Sequence, residues 1–260
     1  MLERIGRAWR QHREQRILRH RAVPDALWRL TLARFPFLAA LNGDEQAELR
    51  RLSTLFLAAK EFTAGPGMAL TDEVAVAVAA QACLPILHLG LDAYAGFVGI
   101  VLHADEVVAR RQVTDDDGVV HEYDETLTGE AMDGGPVMLA WRDVHDAGES
   151  ADWGYNVVIH EFAHVLDLRD GHGDGVPALP SRAAREAWLD VLEPAYQRFM
   201  DAVDAGHATL LDPYGAEAID EFFAVASESF FVSPHDLQAE HPTLYPLLAS
   251  YYRQDPAQRG

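Results

Sequence analysis

The residues best suited to chemistry in this sequence are two histidines and a glutamate, arranged as His-Glu-x-x-His at His160, Glu161 and His164. On a helix the two histidines are one turn apart, so both imidazoles can reach a single cation from the same side. Glu161 lies beside them, where its carboxylate can take a proton from a water that the metal activates. The motif therefore predicts a zinc hydrolase that binds one Zn²⁺ per chain and uses Glu161 as its general base.

Apolar residues surround this motif at the spacing of a helix with one buried face. Two histidines on a solvated surface would instead have polar neighbours, so the context favours a metal site over a chance match. The apolar positions are Val157, Val158, Ile159, Phe162, Val165 and Leu166.

A catalytic zinc site needs a third protein ligand and a fourth position that stays open to water. Asp170 stands six residues after His164, where an extended form of the motif places its last ligand. That form uses a glycine to end the helix, and this sequence has Asp167 at the glycine position. The alternative is a glutamate on a second helix, and the candidates there are Glu217, Glu221 and Glu228.

The apolar neighbours of these glutamates narrow the choice. A carboxylate between Phe222 and Val225 is costly to bury unless it is paired or bound to metal, which favours Glu221 as the ligand. Glu228 lies seven residues later on the same face and is predicted to hydrogen-bond a ligand histidine. Asp167 is a further candidate for that supporting role.

Composition limits the classes of protein to consider. The 260 residues are 49% hydrophobic, which is enough to bury a large core. The net charge of −20 argues against direct nucleic-acid binding, which needs a basic surface. Cys83 is the single cysteine, so no internal disulfide and no cysteine-based zinc site is possible. With no apolar run long enough to span a membrane and no secretory signal, we expect a cytoplasmic protein.

Charge is distributed unevenly along the chain. Residues 1–22 are rich in arginine and are predicted to form a polar helix or a loose arm, either solvated or directed at an acidic partner. Residues 23–260 are predicted to form a single domain that contains the zinc site. Its helical part spans about 23–95, its sheet about 96–141 and its catalytic helices about 152–260.

The predicted elements that position the motif are strands followed by helices. A proline at position 136 starts the strand 137–141, which suits the edge of a sheet. Residues 114–118 are predicted to form an acidic turn. These features favour an α+β fold, with a small mixed sheet whose edge strand lies beside the motif helix and with helices around it. The other predicted strands are 61–63, 97–103, 107–113 and 119–123, and the predicted helices are 45–60, 74–84, 155–168, 181–203, 218–231 and 237–252.

Several separate segments give the chain a resemblance to the Mlc titration factor A family of zinc metallopeptidases. The resemblance covers most of the chain, from about Pro24 to Pro256, and leaves out the arginine-rich start. Segments in the same order are more specific than the five-residue motif alone. They are 83–91, 135–141, 156–167, 175–177, 212–214, 221–225 and 227–228.

The resemblance implies a site and two possible functions. It implies that His160, His164 and Glu221 bind zinc in a gluzincin-like core, that Glu161 is the general base and that Tyr214 assists catalysis. The predicted function is zinc-dependent hydrolysis of peptides, including aminopeptidase activity. The alternative is a regulatory protein that sequesters a transcriptional repressor, because the family is named for titrating a glucose-responsive repressor. An intact Glu161 favours the enzyme, since a purely structural zinc site needs no base.

Overall fold

The computed structural model describes residues 2–114, 120–127, 129–131 and 134–259, and within them the fold is α+β and mostly helical. The helices are α1 (Leu2–Arg21), α2 (Asp25–Arg34), α3 (Pro36–Ala39), α4 (Gly43–Ala59), α5 (Asp72–Cys83), α6 (Trp141–Ser150), α7 (Val157–Asp167), α8 (Arg182–Asp204), α9 (Ile219–Val232), α10 (Pro234–Glu240) and α11 (Leu244–Tyr252). The strands are β1 (Glu61–Ala64), β2 (Gly99–His103), β3 (Val107–Thr114), β4 (Val120–Leu127), β5 (Gly129–Ala131) and β6 (Val137–Ala140).

The main sheet is mixed and small, as predicted, but its edge strand is not the one expected. The strand order is β1-β2-β6-β5, with β1, β2 and β6 parallel and β5 antiparallel to β6. The expectation that 137–141 forms an edge is therefore wrong, because β6 has a neighbour on each side. Pro136 precedes the strand, so its missing N–H removes no hydrogen bond from the ladder. The edge beside the motif helix is β5, a three-residue strand.

A second sheet stands apart from the first. It is the antiparallel pair β3–β4, in register from Val107 opposite Leu127 to Thr114 opposite Val120. The strand predicted at 107–113 therefore pairs with the following strand rather than with β2. Of the acidic turn predicted at 114–118, Thr114 ends β3, and residues 115–118 lie outside the described residues.

Helices α4 and α5 begin where the sequence supplies side-chain caps. Asn42 and Glu45 form a reciprocal capping box at the start of α4, and the Thr71 hydroxyl accepts the backbone N–H of Val74 at the start of α5. The arginine-rich segment is a helix, α1, which packs against α4 and pairs Glu14 with Arg51 at 3.6 Å. None of the described helices has the length and the apolar character that a membrane crossing requires.

The C-terminal segment contains two helices where the sequence analysis predicted one over 237–252. The prediction of a single helix is wrong because Pro242 lacks the N–H that an unbroken helix would need there. The chain ends α10 at Glu240 and begins α11 at Leu244. Pro234 occupies the first position of α10, where a proline is well tolerated.

The motif helix α7 is held in the core on several sides at once. It packs against α9, α5, α6 and strand β5. From its buried face the Phe162 ring reaches into an aromatic cluster, 4.9 Å from the Tyr94 ring centre, 5.6 Å from Phe97 and 5.7 Å from Phe56. Because such rings fit together in few arrangements, the cluster fixes the rotation of α7 about its own axis.

We expect Phe162→Ala to lower the free energy of unfolding by about 3–5 kcal/mol, because it removes a fully buried ring and leaves a cavity. Urea denaturation followed by circular dichroism measures the change. Phe37→Ala is the matched control, since it deletes the same atoms from a half-buried ring and should cost less. An equal loss in the two variants would contradict the role given to the aromatic cluster.

Candidate metal centre

The start of the motif helix is fixed by one buried asparagine. The Asn156 Oδ1 atom accepts the backbone N–H of Ile159 at 2.9 Å and caps α7. Its Nδ2 group donates to Gln81 Oε1 on α5 at 2.8 Å. Both side chains are completely buried, so the cap also ties the motif helix to the helical N-terminal part of the chain.

Two turns of α7 and one turn of α9 bring three donor atoms together. His160 Nε2 and His164 Nε2 are 3.2 Å apart. Glu221 Oε2 lies 3.1 Å from the former and 3.3 Å from the latter. Among the described residues this is the group of side chains that could hold a metal ion. The structure therefore brings together the three ligands that the sequence predicts.

The geometry of this group fits zinc. Zinc binds imidazole nitrogen and carboxylate oxygen at about 2.0–2.2 Å, so tetrahedral donors lie roughly 3.3–3.5 Å from one another. The three observed separations, 3.1–3.3 Å, are close to that value. Imidazole nitrogen and carboxylate oxygen are also donors that zinc prefers. With three protein ligands, a fourth position stays available to water or substrate.

Glu228 supports one ligand histidine from the next part of α9. Its Oε1 atom lies 2.8 Å from His160 Nδ1, and its Oε2 atom accepts the backbone N–H of Asn156. The carboxylate therefore orients the imidazole so that Nε2 faces Glu221 Oε2 and His164 Nε2. This is the supporting role that the sequence predicts for Glu228, and the side chain is 2% exposed.

Burial and neighbouring charges have opposite effects on the pKa values of these groups. Burial acts to lower the pKa of His160, but its hydrogen bonds to Glu221 and Glu228 outweigh this effect and raise the pKa. Burial acts to raise the pKa of Glu221, but the two histidines hold it well below its usual range. Burial raises the pKa of Glu228 in spite of its bond to His160. The three groups form an electrostatic unit suited to a cation.

The predicted base, Glu161, is buried in the floor of the cleft, with 4% of its surface exposed. Burial raises its pKa to about 7, although the charges of His160 and His164 act in the opposite direction. Strand β5 lies directly over its carboxyl group. A β-carbon built on Gly129 would come within 2.7 Å of Glu161 Cγ, so a glycine is needed for the strand to approach this closely.

Tyr214 is at the rim of the same cleft. It sits on a 3₁₀ turn, Pro213–Ala216, where Asp212 Oδ1 accepts its backbone N–H at 2.9 Å. Its ring centre is 6.2 Å from that of His160, and the side chain is 41% exposed. The tyrosine predicted to assist catalysis is therefore beside a predicted ligand and accessible to a bound molecule.

The other acidic candidates lie outside the donor group. Asp170 is exposed and accepts the backbone N–H of His172 at 3.2 Å, so it closes a turn. Glu217 is exposed. Asp167 is buried and accepts the backbone N–H of Gly175 at 2.9 Å, and its other oxygen has no hydrogen-bond partner in the described structure. Asp167 therefore orders the loop after the motif helix instead of bonding a ligand histidine.

Three residues of the site were not predicted from the sequence. Gln81 is a buried amide inside an apolar helix, and that local contrast was the available signal. Asp220 lines the cleft beside the predicted ligand Glu221, and the available signal was its place next to Glu221 at the start of a predicted helix. Gly129 carries no signal of its own, because its importance comes from a strand that only the folded chain places beside Glu161.

The cleft around the donor group has a volume of about 280 Å³. One wall is strand β5 and the other is the start of α9 with the Tyr214 turn. Its described lining contains the acidic side chains of Glu130, Glu161, Asp220 and Glu221 and contains neither lysine nor arginine. The arrangement can hold a cation, hold a buried base next to it and accept a small or extended polar molecule.

We expect Glu228→Gln to weaken zinc binding by about 10- to 100-fold, because the amide no longer supplies the negative charge that orients and polarises His160. Competition with a chromophoric chelator measures the affinity. Glu240→Gln, an exposed neutralisation on α10, is the control and should bind zinc as the unmodified chain does. Unchanged affinity in Glu228→Gln would show that His160 needs no carboxylate partner.

Sequence comparison relates the chain to known proteins. The sequence profile of the glucose-regulated metallo-peptidase M90 family matches residues 8–253, which extends into α1 and so further than the resemblance near Pro24 indicated. An uncharacterised protein of Synechocystis is 37% identical over 251 residues, covering 95% of this chain and 90% of its own.

Two further relatives carry a name. The protein called Mlc titration factor A in Salmonella arizonae is 36% identical, covering 90% of this chain and 93% of its own. The protein of the same name in an Enterobacter species is 35% identical, covering 91% and 90%. The family profile and these relatives span nearly the whole chain, and the chain therefore belongs to the glucose-regulated metallopeptidase M90 family.

Proposed function

We propose that this protein is a zinc-dependent peptidase, in which His160, His164 and Glu221 bind zinc and Glu161 is the general base. The observation that carries the proposal is the approach of three donor atoms to 3.1–3.3 Å beside a buried glutamate. When bound, zinc supplies a Lewis acid that polarises a carbonyl and makes a water acidic near neutral pH.

The residues of the chain have separate tasks in this reaction. Glu161 accepts the proton of the attacking water and passes it to the leaving amine. Tyr214, at the rim, donates a hydrogen bond to the carbonyl oxygen as negative charge develops there. Glu228 keeps His160 in the orientation that binds the metal.

The substrate that this cleft suits best is a short peptide. Among the described strands, β5 is the last of its sheet, and it lines the cleft, so an extended peptide can pair with it through backbone hydrogen bonds.

The single cysteine, Cys83, is buried, and burial raises the pKa of its thiol, which is consistent with a residue that takes no part in the reaction.

The acidic lining further favours aminopeptidase activity. Asp220 stands next to Glu221 at the start of α9, where its carboxylate can pair with the ammonium group of a peptide N-terminus. The small volume of the cleft agrees with removal of one terminal residue at a time.

A second function is supported by one observation, the name of the relatives. Mlc titration factor A is named for titrating Mlc, and the proposal carried to this chain is that it binds a transcriptional regulator. Such binding needs an accessible surface rather than a base, so it would survive the loss of Glu161, whereas peptide hydrolysis would not.

We expect Glu161→Gln to lower kcat for a chromogenic peptide by about 10²- to 10⁴-fold while zinc content is unchanged, because glutamine cannot accept a proton. Hydrolysis assays with metal analysis of the same sample measure both quantities. Glu217→Gln is the control, since it neutralises an exposed glutamate that precedes the ligand helix. Hydrolysis at the unmodified rate in Glu161→Gln would exclude the proposed mechanism.

Acetylating the N-terminus of a dipeptide substrate should lower kcat/KM by about tenfold or more, because the amide loses the charge that pairs with Asp220. The same assay with Asp220→Asn should show a smaller difference between the free and the acetylated substrate. Equal rates for the two substrates in the unmodified enzyme would contradict recognition of the peptide N-terminus.

A further inference from the structure

A second cavity has a lining that shares no residue with the lining of the metal cleft. Its volume of about 750 Å³ exceeds the 280 Å³ of the metal cleft. Its walls come from the segment after α5, the segment after α7, the loop before α8, and helices α8 and α11. A volume of this size is within the range of small-molecule sites in proteins.

The inner wall of the cavity is aromatic and aliphatic. Trp188 and Tyr251 meet edge to face, with ring centres 5.6 Å apart, and Leu247 lies beside them. Ala184 and Ala187 line the same space from α8. Because alanines stand where larger side chains would fill the gap, the wall stays open to an apolar molecule.

The rim of the cavity carries two arginines, Arg169 and Arg253. Several other arginines are paired, for example Arg34 with Glu73 at 2.7 Å and Arg50 with Asp25 at 2.6 Å. No carboxylate of the described residues lies within ion-pair distance of either rim arginine. Two guanidinium groups thus border one apolar cavity in a chain whose net charge is −20.

The contacts of these arginines leave their charge available. The recorded hydrogen bond of Arg253 is a long one, from Nη1 to the His88 backbone oxygen at 3.5 Å. The charge of Arg169 acts on the Tyr251 hydroxyl, where it opposes the rise in pKa that burial causes. The positive charge of Arg169 therefore acts on a residue of the aromatic wall.

Arg253 also holds a backbone conformation that favours glycine. It caps the end of α11 with φ at 55°, and among the described residues it is the only non-glycine residue with a positive φ. A glycine at this position would be less strained. Strain of this kind is often kept where a side chain has a function, and here that side chain is on the rim of the cavity.

We propose that this cavity binds a small carboxylic acid with an apolar body, its carboxylate paired with Arg169 and Arg253 and its body packed against Trp188 and Tyr251. Planar guanidinium groups match the two oxygens of a carboxylate. A single negative charge also costs less to bring next to an apolar wall than the double charge of a phosphate monoester.

The test uses decanoate as the probe and decanol as its uncharged match, both below the concentrations at which they aggregate. Calorimetric titration of the zinc-loaded protein should show saturable binding of one decanoate per chain. Decanol should bind at least about tenfold more weakly, because it forms no charge-assisted hydrogen bonds with the arginines. The intrinsic fluorescence should change on binding, and this change should be lost in Trp188→Phe.

Variants locate the binding. Arg169→Gln and Arg253→Gln should each weaken decanoate binding by about tenfold, and Ala184→Phe should weaken it by filling the cavity. Arg182→Gln is the matched control, since this exposed arginine on α8 pairs with Glu186 outside the cavity and should leave binding unchanged. Circular dichroism confirms that each variant is folded before it is compared.

Three results would overturn the proposal: absence of saturable decanoate binding, equal affinity for decanol, or unchanged affinity in both arginine variants. The calorimetric titration uses no peptide substrate and does not depend on peptide hydrolysis. Repeating it with Glu161→Gln should give the same affinity, so the outcome is independent of whether the protein is a peptidase.

Discussion

The arrangement of the metal centre depends on one buried carboxylate. Glu228 accepts hydrogen bonds on both oxygens, from the His160 imidazole and from the backbone of Asn156, and so joins the first turn of α7 to the middle of α9. An unpaired carboxylate at this depth would cost several kcal/mol, so the two helices have one relative position that satisfies it. The same position brings Glu221, two turns earlier on α9, up to both histidines.

This dependence explains which parts of the site were predictable. His160 and His164 are one turn apart on a single helix, and Glu221 and Glu228 share a face of another, so periodicity encodes their directions. The costs of burying charge then assign the glutamates their tasks before any fold is known. The α+β class, most strands and several helices also follow from local patterns. For example, the caps Thr71 and Ser181 mark the starts of α5 and α8.

The rest of the fold depends on contacts between distant segments. Strand β5 contains glycine, glutamate and alanine, which have little preference for a strand, and it exists because β6 offers it a partner. Strand β6 was expected at an edge because of its proline, yet the rule concerns N–H groups inside the ladder and Pro136 lies before it. Asn156 pairs with Gln81 across 75 positions of sequence, a separation over which no local pattern operates.

The close approach of Gly129 to Glu161 has a consequence for how a peptidase of this shape would choose its cleavage point. Gly129 places no side chain between β5 and Glu161. The position of a peptide bound along β5, relative to Glu161, would therefore be set by its backbone. Ladder hydrogen bonds are the same for every amino acid, so they select a position along the chain and not a residue type. Such a peptidase would accept many sequences. It would cleave at a fixed distance from the end of the peptide.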